Sequence, residues 1–490
     1  MAELRVLFCS PEVSPYAKTG GLADVAASLP GPLKGLGCDV RIFMPFYRSC
    51  RDAASVTSLA ENIPIRVGTQ TYHVHFRQAV TPSGVPVYFL EKDEFFDRTY
   101  LYGTPTRGDY EDNPERFITF CRAAHALCLQ LNWFPDVFHL HDWQSALVAP
   151  YQHVHWRYDP NFSGSSVVFT IHNLAYQGLF PARQFALTRL PSEVFTIQGM
   201  EYWGQCNLLK AGLVYGDAIT TVSPRYSREI QQPEFGHGLD GVLRDRKDRL
   251  LGILNGIDYS QWDPATDPLI PQRYSARDLG GKGECKKDLL SDLGFGQESR
   301  ERPLLAMIGR LTPQKGFDLL AAVLDEFSAL PVSLVVLGAG DPELEDRLRR
   351  CADELPGQVR TIFRFDERLA HRIEAGADIF LMPSRYEPCG LNQMYSLRYG
   401  TVPVVHATGG LDDSVTDVLR DPEGGTGFKF YEYTPSALMS AVRSALEWYE
   451  DRGRWEELQR RGMAQDFSWN RSARQYLEVY RTVAERKKRL

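Results

Sequence analysis

Lys18-Thr19-Gly20-Gly21-Leu22-Ala23-Asp24-Val25 sets a cation and two glycines between the apolar run Val6-Leu7-Phe8-Cys9 and a helical pattern from Leu22 onward. In that order the glycines admit close approach of a ligand to the backbone. The helix start offers N–H groups that lack intrahelical acceptors, and Lys18 adds a full positive charge. This is chemistry for an anion such as the diphosphate of a sugar nucleotide. Taken alone, the same glycines also serve as a plain strand-to-helix turn.

Other polar clusters close apolar runs further along: His139-Leu140-His141-Asp142-Trp143, Thr170-Ile171-His172-Asn173 and Gly309-Arg310-Leu311-Thr312-Pro313-Gln314-Lys315-Gly316. Glu387-Pro388-Cys389-Gly390-Leu391 precedes a helical pattern. Each has a structural reading beside a functional one. His172 could be a satisfied strand-end histidine, Arg310 and Lys315 a solvated pair, and Glu387 a charge favourable to a helix start. Cys389 reads as a small packing residue rather than a nucleophile, and Trp143 as core unless exposed. His139 and His141 invite a metal, yet no H-E-x-x-H follows, and strand alternation points both to one side with Asp142 opposite. No metal site is expected. The combination favours function: moving a sugar off a nucleoside diphosphate requires stabilising the departing diphosphate, by a metal or by fixed cations and N–H donors. The chain has no Asp-x-Asp triplet to hold a metal, but it has Lys18, Arg310 and Lys315 in glycine-bearing segments. Stabilisation by cations, without a cofactor, is the consistent expectation.

Elements that could position these groups alternate along the chain. Strands are expected near Arg5–Cys9, Val40–Met44, Val85–Leu90, Val137–His141, Val167–Ile171 and Ala218–Val222, with a helix from about Arg116 to Leu131. The alternation restarts at Leu304–Ile308 and continues at Val332–Leu337, Val359–Phe363, Ile379–Met382 and Val402–Val405. Such continuously apolar runs suit parallel strands covered on both faces, which predicts two doubly wound α/β domains with ligands beyond the carboxyl ends of their strands. A polar stretch from Asn255-Gly256-Ile257-Asp258 to about Gly296 separates the halves, its start being a candidate hinge. Helices are expected at Pro435–Tyr449, Arg454–Asp466 and Trp469–Arg486. The expected domains are 1–258, 259–468 and a last helix, 469–490, that could pack back on the first.

The chain has 490 residues, 43% of them hydrophobic, enough for two or three cores. A formal charge of -7 argues against nucleic acid as a partner, and the basic end Arg486-Lys487-Lys488-Arg489 reads as a solvated helix terminus. Nine cysteines without a C-x-x-C pair point to a reduced, cytoplasmic setting. No export signal is expected at the N-terminus, and no run reaches the roughly 18 apolar residues of a membrane span.

Taken together, these motifs resemble the bacterial glycogen synthase and plant starch synthase family, glycosyltransferase family 5. The resemblance runs from Lys18-Thr-Gly-Gly-Leu-Ala-Asp24-Val through His141-Asp142-Trp143, Thr170-Ile-His172-Asn173 and Asn255-Gly-Ile-Asp258. It continues through Arg310-Leu-Thr-Pro-Gln314-Lys315-Gly and Pro383-Ser-Arg-Tyr-Glu387-Pro-Cys389-Gly390-Leu391 to Thr408-Gly-Gly-Leu. It implies the GT-B fold, two Rossmann-like domains facing a cleft, with ADP-glucose as donor and the non-reducing end of glycogen or another α-1,4-glucan as acceptor. By the same resemblance Lys18, Arg310 and Lys315 grip the diphosphate while Gly20 and Gly21 donate N–H groups. Glu387 and His172 hold the transferred glucose, with Asp142 beside them in the catalytic set and Asp24, Asn173, Asn255 and Gln314 in the substrate set. Cys389, Gly390 and Leu391 touch sugar hydroxyls. Tyr102 and Trp143 fall where the family has aromatics near the sugar, and Phe365 where it has one near the nucleoside. For Lys18 and Lys315 to share one diphosphate, the halves are expected to close on the donor.

Two positions depart from related patterns. Tyr395 stands eight residues after Glu387, where many retaining GT-B enzymes carry a second glutamate. Asn392 stands where relatives often carry threonine. Donor and product both bear an α-linkage, and with no evident carboxylate nucleophile the expectation is front-face transfer through an ion pair. Alternatives are a UDP-glucose or maltooligosaccharide enzyme, a pyridoxal-phosphate phosphorylase, and a catalytically silent glucan-binding protein. The family motifs disfavour the phosphorylase. Intact Glu387, Lys18 and Lys315 count against the silent protein.

Overall fold

The computed structural model describes residues 3–52, 55–104 and 106–488, so Arg489 of the basic terminus lies outside the described residues. The chain folds as two compact units, Met1–Gly256 with Trp469–Leu490, and Ile257–Ser468.

The first unit is built on a nine-stranded sheet. Its strands are β1 (Leu4–Cys9), β2 (Cys38–Pro45), β3 (Thr57–Val67), β4 (Gln70–Val80), β5 (Pro86–Glu91), β6 (Val137–His141), β7 (Ser166–Ile171), β8 (Ala218–Thr221) and β9 (Leu250–Gly252). They lie in the order β9-β8-β7-β6-β1-β2-β5-β4-β3, parallel except for β4, which runs antiparallel to both its neighbours. β6 and β7 are buried throughout, and β1 from Val6 to Cys9, as strands covered on both faces must be. The β3–β4 hairpin is absent from the sequence expectation. Its residues alternate between buried and exposed, and β3 contains Pro64, so it offers no continuous apolar run. Helix α1 (Gly21–Ser28) follows β1, and α2 (Asn113–Leu131) precedes β6.

The second unit has six parallel strands: β10 (Leu304–Ile308), β11 (Ser333–Leu337), β12 (Val359–Ile362), β13 (Ile379–Met382), β14 (Val402–His406) and β15 (Phe428–Phe430). Their order is β12-β11-β10-β13-β14-β15. The polar stretch expected between the halves is not a linker throughout. Residues Gly280–Asp292 form helix α3 inside the second unit, and its buried face combines Cys285, Leu289 and Leu290 with two lysines, Lys282 and Lys286. Lys286 Nζ lies 2.7 Å from Asp378 Oδ2, and Lys282 Nζ donates to Thr401 Oγ1 at 2.7 Å. Helix α4 (Glu367–Gly376) packs beside it, and α5 (Asn392–Arg398) follows the Glu387 turn.

The order of strands reverses between β1 and β6 in one sheet and between β10 and β13 in the other. Ligands of doubly wound sheets bind beyond the strand ends at such a reversal. The last helix, α6 (Trp469–Lys488), returns to the first unit. Its Tyr480 hydroxyl is hydrogen-bonded at 2.7 Å to His139 Nδ1, and its Val483 carbonyl accepts from Ser166 Oγ at 3.1 Å. Both rings are buried. Tyr480→Phe therefore strands a buried ring nitrogen, and should destabilise the first unit by about 1–3 kcal/mol in urea unfolding. An unchanged midpoint would show that this bond contributes nothing.

Candidate functional site

In the first unit the site begins where β1 runs out. Glu12 is buried, and its carboxylate collects three donors: the Thr19 N–H at 2.5 Å, the Thr19 hydroxyl at 2.6 Å and the Tyr102 hydroxyl at 2.7 Å. One carboxylate thus fixes both the glycine-bearing loop and an aromatic expected near the sugar. Tyr102 is held from its other side by Asn113 Nδ2, which donates to its carbonyl at 2.9 Å, while buried Arg116 donates to Leu101 O at 2.8 Å. Burial and the nearby Glu12 charge raise the Tyr102 phenol well above its ordinary range. Gly20 caps α1 in an extended conformation, and no side chain accepts a capping bond there. Exposed Lys18 reaches Asp24 Oδ1 at 2.7 Å.

Asp142 follows β6 in a left-handed conformation, φ +54°. Its carboxylate accepts the His172 N–H at 2.8 Å and a second bond from the Asn173 N–H, so the end of β6 organises the end of β7. Burial outweighs those donors and pushes the Asp142 carboxyl up to about 7. The His172 ring is bonded through Nε2 to His141 Nδ1 at 2.9 Å. Burial lowers His172 to about 3 and takes His141 well below its ordinary value, so both rings are neutral. His139 is bonded to Thr170 Oγ1 at 2.6 Å as well as to Tyr480. Among the described residues no group of three or more His, Cys, Asp or Glu is arranged to hold a metal.

Trp143, expected near the sugar by resemblance, belongs to the core. It packs edge-on against Phe117 at 4.9 Å and Phe180 at 5.7 Å, and Gly178 lies so close that a Cβ there would strike the indole. Asn173 Oδ1 accepts from the Ala175 N–H at 3.1 Å. Asn255 is buried with its Oδ1 unpartnered.

In the second unit the loops after β10 and β13 meet. Arg385 N–H donates to Gln314 O at 2.9 Å, and Gly316, at φ +80°, sits against the Pro383 carbonyl where a Cβ would collide. That contact sets Lys315 Nζ 2.6 Å from Glu387 Oε2, which also accepts from Ser384 Oγ at 3.1 Å. Glu387 is only 5% exposed. Its carbonyl accepts from Gly410 N–H at 3.0 Å, and a Cβ on Gly409, at φ +44°, would strike it. Thr408-Gly409-Gly410-Leu411 is therefore the backstop of the glutamate. Gly390 also needs its left-handed φ of +71°, and Cys389 is buried and outside any disulfide. Asn392 Nδ2 donates to Ile308 O at 3.0 Å, which gives this departure from the family's threonine a definite role. A cavity of about 130 Å³ opens here, lined in part by Gly309, Lys315, Ser384, Leu391 and Asn392. Arg310 is exposed, and Phe365 is 83% exposed, presenting its ring to solvent.

Sequence reasoning did not single out Glu12, Ser384 or the bond between His141 and His172. Glu12 had a signal, an acidic residue directly after a strand and shortly before a cationic loop. Ser384 had none, because its partner became evident only once Lys315 was paired.

The family model described as starch synthase catalytic domain matches residues 5–245, and that described as glycosyl transferases group 1 matches residues 295–461. The chain is 50% identical over 483 residues to a glycogen synthase of Anaeromyxobacter sp. (strain Fw109-5), covering 98% of this chain and all of that one. It is 46% identical over 477 residues to a glycogen synthase of Koribacter versatilis (strain Ellin345), covering 97% and 98%. Among solved structures it resembles the catalytic domain of starch synthase IV from Arabidopsis thaliana, bound to ADP and acarbose. That likeness has a TM-score of 0.91 and 33% identity, over 99% of this chain and 100% of that one. A sucrose-phosphate synthase from Thermosynechococcus elongatus, TM-score 0.60 and 19% identity over 98% and 99% of the chains, shares the fold.

The Asp142 carboxylate organises the His172 and Asn173 backbone only when ionised. Its raised pKa then predicts that kcat/KM for a nucleotide-sugar donor climbs with pH along a limb centred near 7. Asp142→Asn should abolish that limb. A limb that persists in the variant would assign it to another group.

Proposed function

The chain belongs to the starch synthase catalytic-domain family, and on that premise we propose that it moves glucose from ADP-glucose to the non-reducing end of an α-1,4-glucan, releasing ADP with retention of configuration. It is a glycosyltransferase of GT-B fold, and its full-length relatives include glycogen synthases. The observation that carries the reading of the site is the Lys315–Glu387 pair, a part-exposed cation on a buried carboxylate at the reversal point of the second sheet.

Before the donor arrives, Glu387 neutralises Lys315. The diphosphate then draws the Lys315 ammonium to its own oxygens, aided by Arg310 and Lys18, and leaves Glu387 to bond the glucose hydroxyls. Gly20 and Gly21 add N–H donors. As the C1–O bond breaks, its electron pair goes to the diphosphate, and positive charge develops at C1 and the ring oxygen. The acceptor hydroxyl attacks on the face the diphosphate leaves, forming the new C1–O bond, and passes its proton to the departing phosphate oxygen. Neutral His172 suits this step, because an imidazolium beside an oxocarbenium-like centre would raise its energy. Tyr102, Asn173, Asn255, Asp24, Gln314 and the Cys389-Gly390-Leu391 turn complete the substrate contacts, with Phe365 as a face for the nucleoside. Nine free, buried cysteines fit the reducing cytoplasm, and no helix among the described residues is long and apolar enough to cross a membrane.

Initial rates of glycogen extension from ADP-glucose and UDP-glucose test the assignment directly. ADP-glucose should be used faster, and a donor that is neither transferred nor hydrolysed would leave a silent glucan-binding protein. Lys315→Ala should lower turnover by at least ~10²-fold, the loss of one charge-stabilising donor, while EDTA leaves the rate unchanged. Inhibition by EDTA that a divalent ion reverses would overturn stabilisation by cations alone. Glu387→Gln keeps the size and removes the charge, so its melting temperature should stay within a few degrees while activity collapses. A variant near full activity would return Glu387 to a structural role.

A further inference from the structure

A second cavity, of about 210 Å³, lies in the first unit and is lined by Arg122, His125, Tyr151, His155, Trp156 and Arg189. None of these residues has a role in the transfer described above. Arg122 and His125 stand on α2; Tyr151 ends the helix Val148–Tyr151, and His155 and Trp156 lie on the π-helical turn Gln152–Trp156 that continues it. Such turns recur at functional sites because the extra residue re-aims the side chains. Arg189 follows Phe185–Thr188 in a left-handed conformation, φ +57°.

The charge here is one-sided. Arg122 donates to Thr188 O at 3.2 Å and Arg189 to Gly68 O at 2.9 Å, both neutral carbonyls, and neither arginine has a carboxylate partner among the described residues. The charged groups acting on His125 are Arg122 and His155 and those acting on His155 are Arg122 and Arg189, all of them basic. Two guanidinium groups beside a cavity with no carboxylate form a receptor for an oxyanion.

His125 adds a second requirement. The Gln152 amide nitrogen donates to Phe162 O at 2.7 Å and to Ser165 O at 3.4 Å, which turns its oxygen toward His125 Nε2 at 3.0 Å. His125 therefore carries its proton on Nε2, and Nδ1 is a buried acceptor with no partner. An acceptor left bare in this wall calls for a hydroxyl donor. The imidazole lies flat on Trp156, 5.1 Å between ring centroids and 8° between planes, which gives the cavity an aromatic side. The volume falls below the roughly 300–1,000 Å³ of drug-sized sites, so the cavity suits a small ligand.

We propose that this cavity binds a small phosphorylated polyol, with the phosphate on Arg122 and Arg189 and a hydroxyl on His125 Nδ1. Glucose 6-phosphate is a probe of that chemistry, and inorganic phosphate and glucose isolate its two halves. Calorimetric titration of the full chain under saturating ADP, which occupies the cations of the donor site, should show saturable binding of glucose 6-phosphate. Phosphate alone should bind at least ~10-fold more weakly and glucose not at all. Arg189→Gln, at an exposed position that does not threaten folding, and Arg122→Gln should each weaken binding by at least ~10-fold. No saturation by ~10 mM glucose 6-phosphate would overturn the proposal. So would binding that disappears when ADP is added and is indifferent to Arg189→Gln, which would put the phosphate on the donor site. Equal affinities for phosphate and glucose 6-phosphate would overturn the polyol assignment, leaving a plain anion site.

Discussion

A carboxylate buried at the end of a parallel sheet must find donors, and in this protein the donors it finds lie on the loops to which the proposed transfer assigns its cations. Glu12 follows β1 and holds Thr19, next to Lys18; Glu387 follows β13 and holds Lys315 itself. Burying an ionised carboxylate without partners is severely unfavourable, so each glutamate constrains its loop as strongly as the loop satisfies the glutamate. The two cases differ in what a ligand can change. The three donors of Glu12 are a backbone N–H and two hydroxyls, which a phosphate has little reason to draw away. Glu387 is bound to the part-exposed Lys315 ammonium, the group for which a diphosphate would compete in the proposed transfer. The first glutamate is a fixture, and the second is poised for exchange.

The sheets decide why these loops are where they are. A parallel sheet delivers every strand's carboxyl end to one edge, and only where the order reverses do the following loops diverge and leave room for a ligand. β1 and β6 flank the reversal in one unit, β10 and β13 in the other. The strands at those places were legible in the sequence because burial on both faces demands uninterrupted apolar runs: β10 and β13 have the bounds that the runs Leu304–Ile308 and Ile379–Met382 predict. The β3–β4 hairpin was illegible for the converse reason, since a strand with one wet face alternates. Helix α3 was hidden too, because two of the five residues on its buried face are Lys282 and Lys286, which composition assigns to solvent until Asp378 and Thr401 are seen beneath them.

The site was legible as a set of residues and less so as a set of bonds. Glycine-bearing loops with cations at strand ends could be read from the chain, as could the carboxylate of Glu387. The readings that remained double were decided by burial. Trp143 is core because Phe117, Phe180 and Gly178 surround it. Both ring nitrogens of His139 are taken by Thr170 and Tyr480, and His141 Nδ1 is bonded to His172. Burial also fixes the charge of these rings, which residue type alone never does. A histidine near the ordinary pKa would be partly cationic at neutral pH; His139 and His141, packed on Phe8, and His172, packed on His141, are each held neutral chiefly by desolvation.

The absent second glutamate follows from the same logic. Tyr395, in its place on α5, lies flat on Trp262 at 3.9 Å, and the opposite face of that indole is covered by His371 at 3.7 Å. His371 Nδ1 is bonded to Asp267 at 2.8 Å, and Tyr399, one helical turn beyond Tyr395, reaches the same carboxylate at 2.5 Å. Trp262 and Asp267 belong to the segment that enters the second unit at Ile257, so this stack pins the start of the unit to the helix that follows the Glu387 turn. A carboxylate at residue 395 would forfeit a stacked ring for a charge next to an indole face, whose own quadrupole is negative. The position has exchanged a polar contact for rigidity in α5. That leaves Glu387 the one acidic side chain of its turn, paired with Lys315 at 2.6 Å.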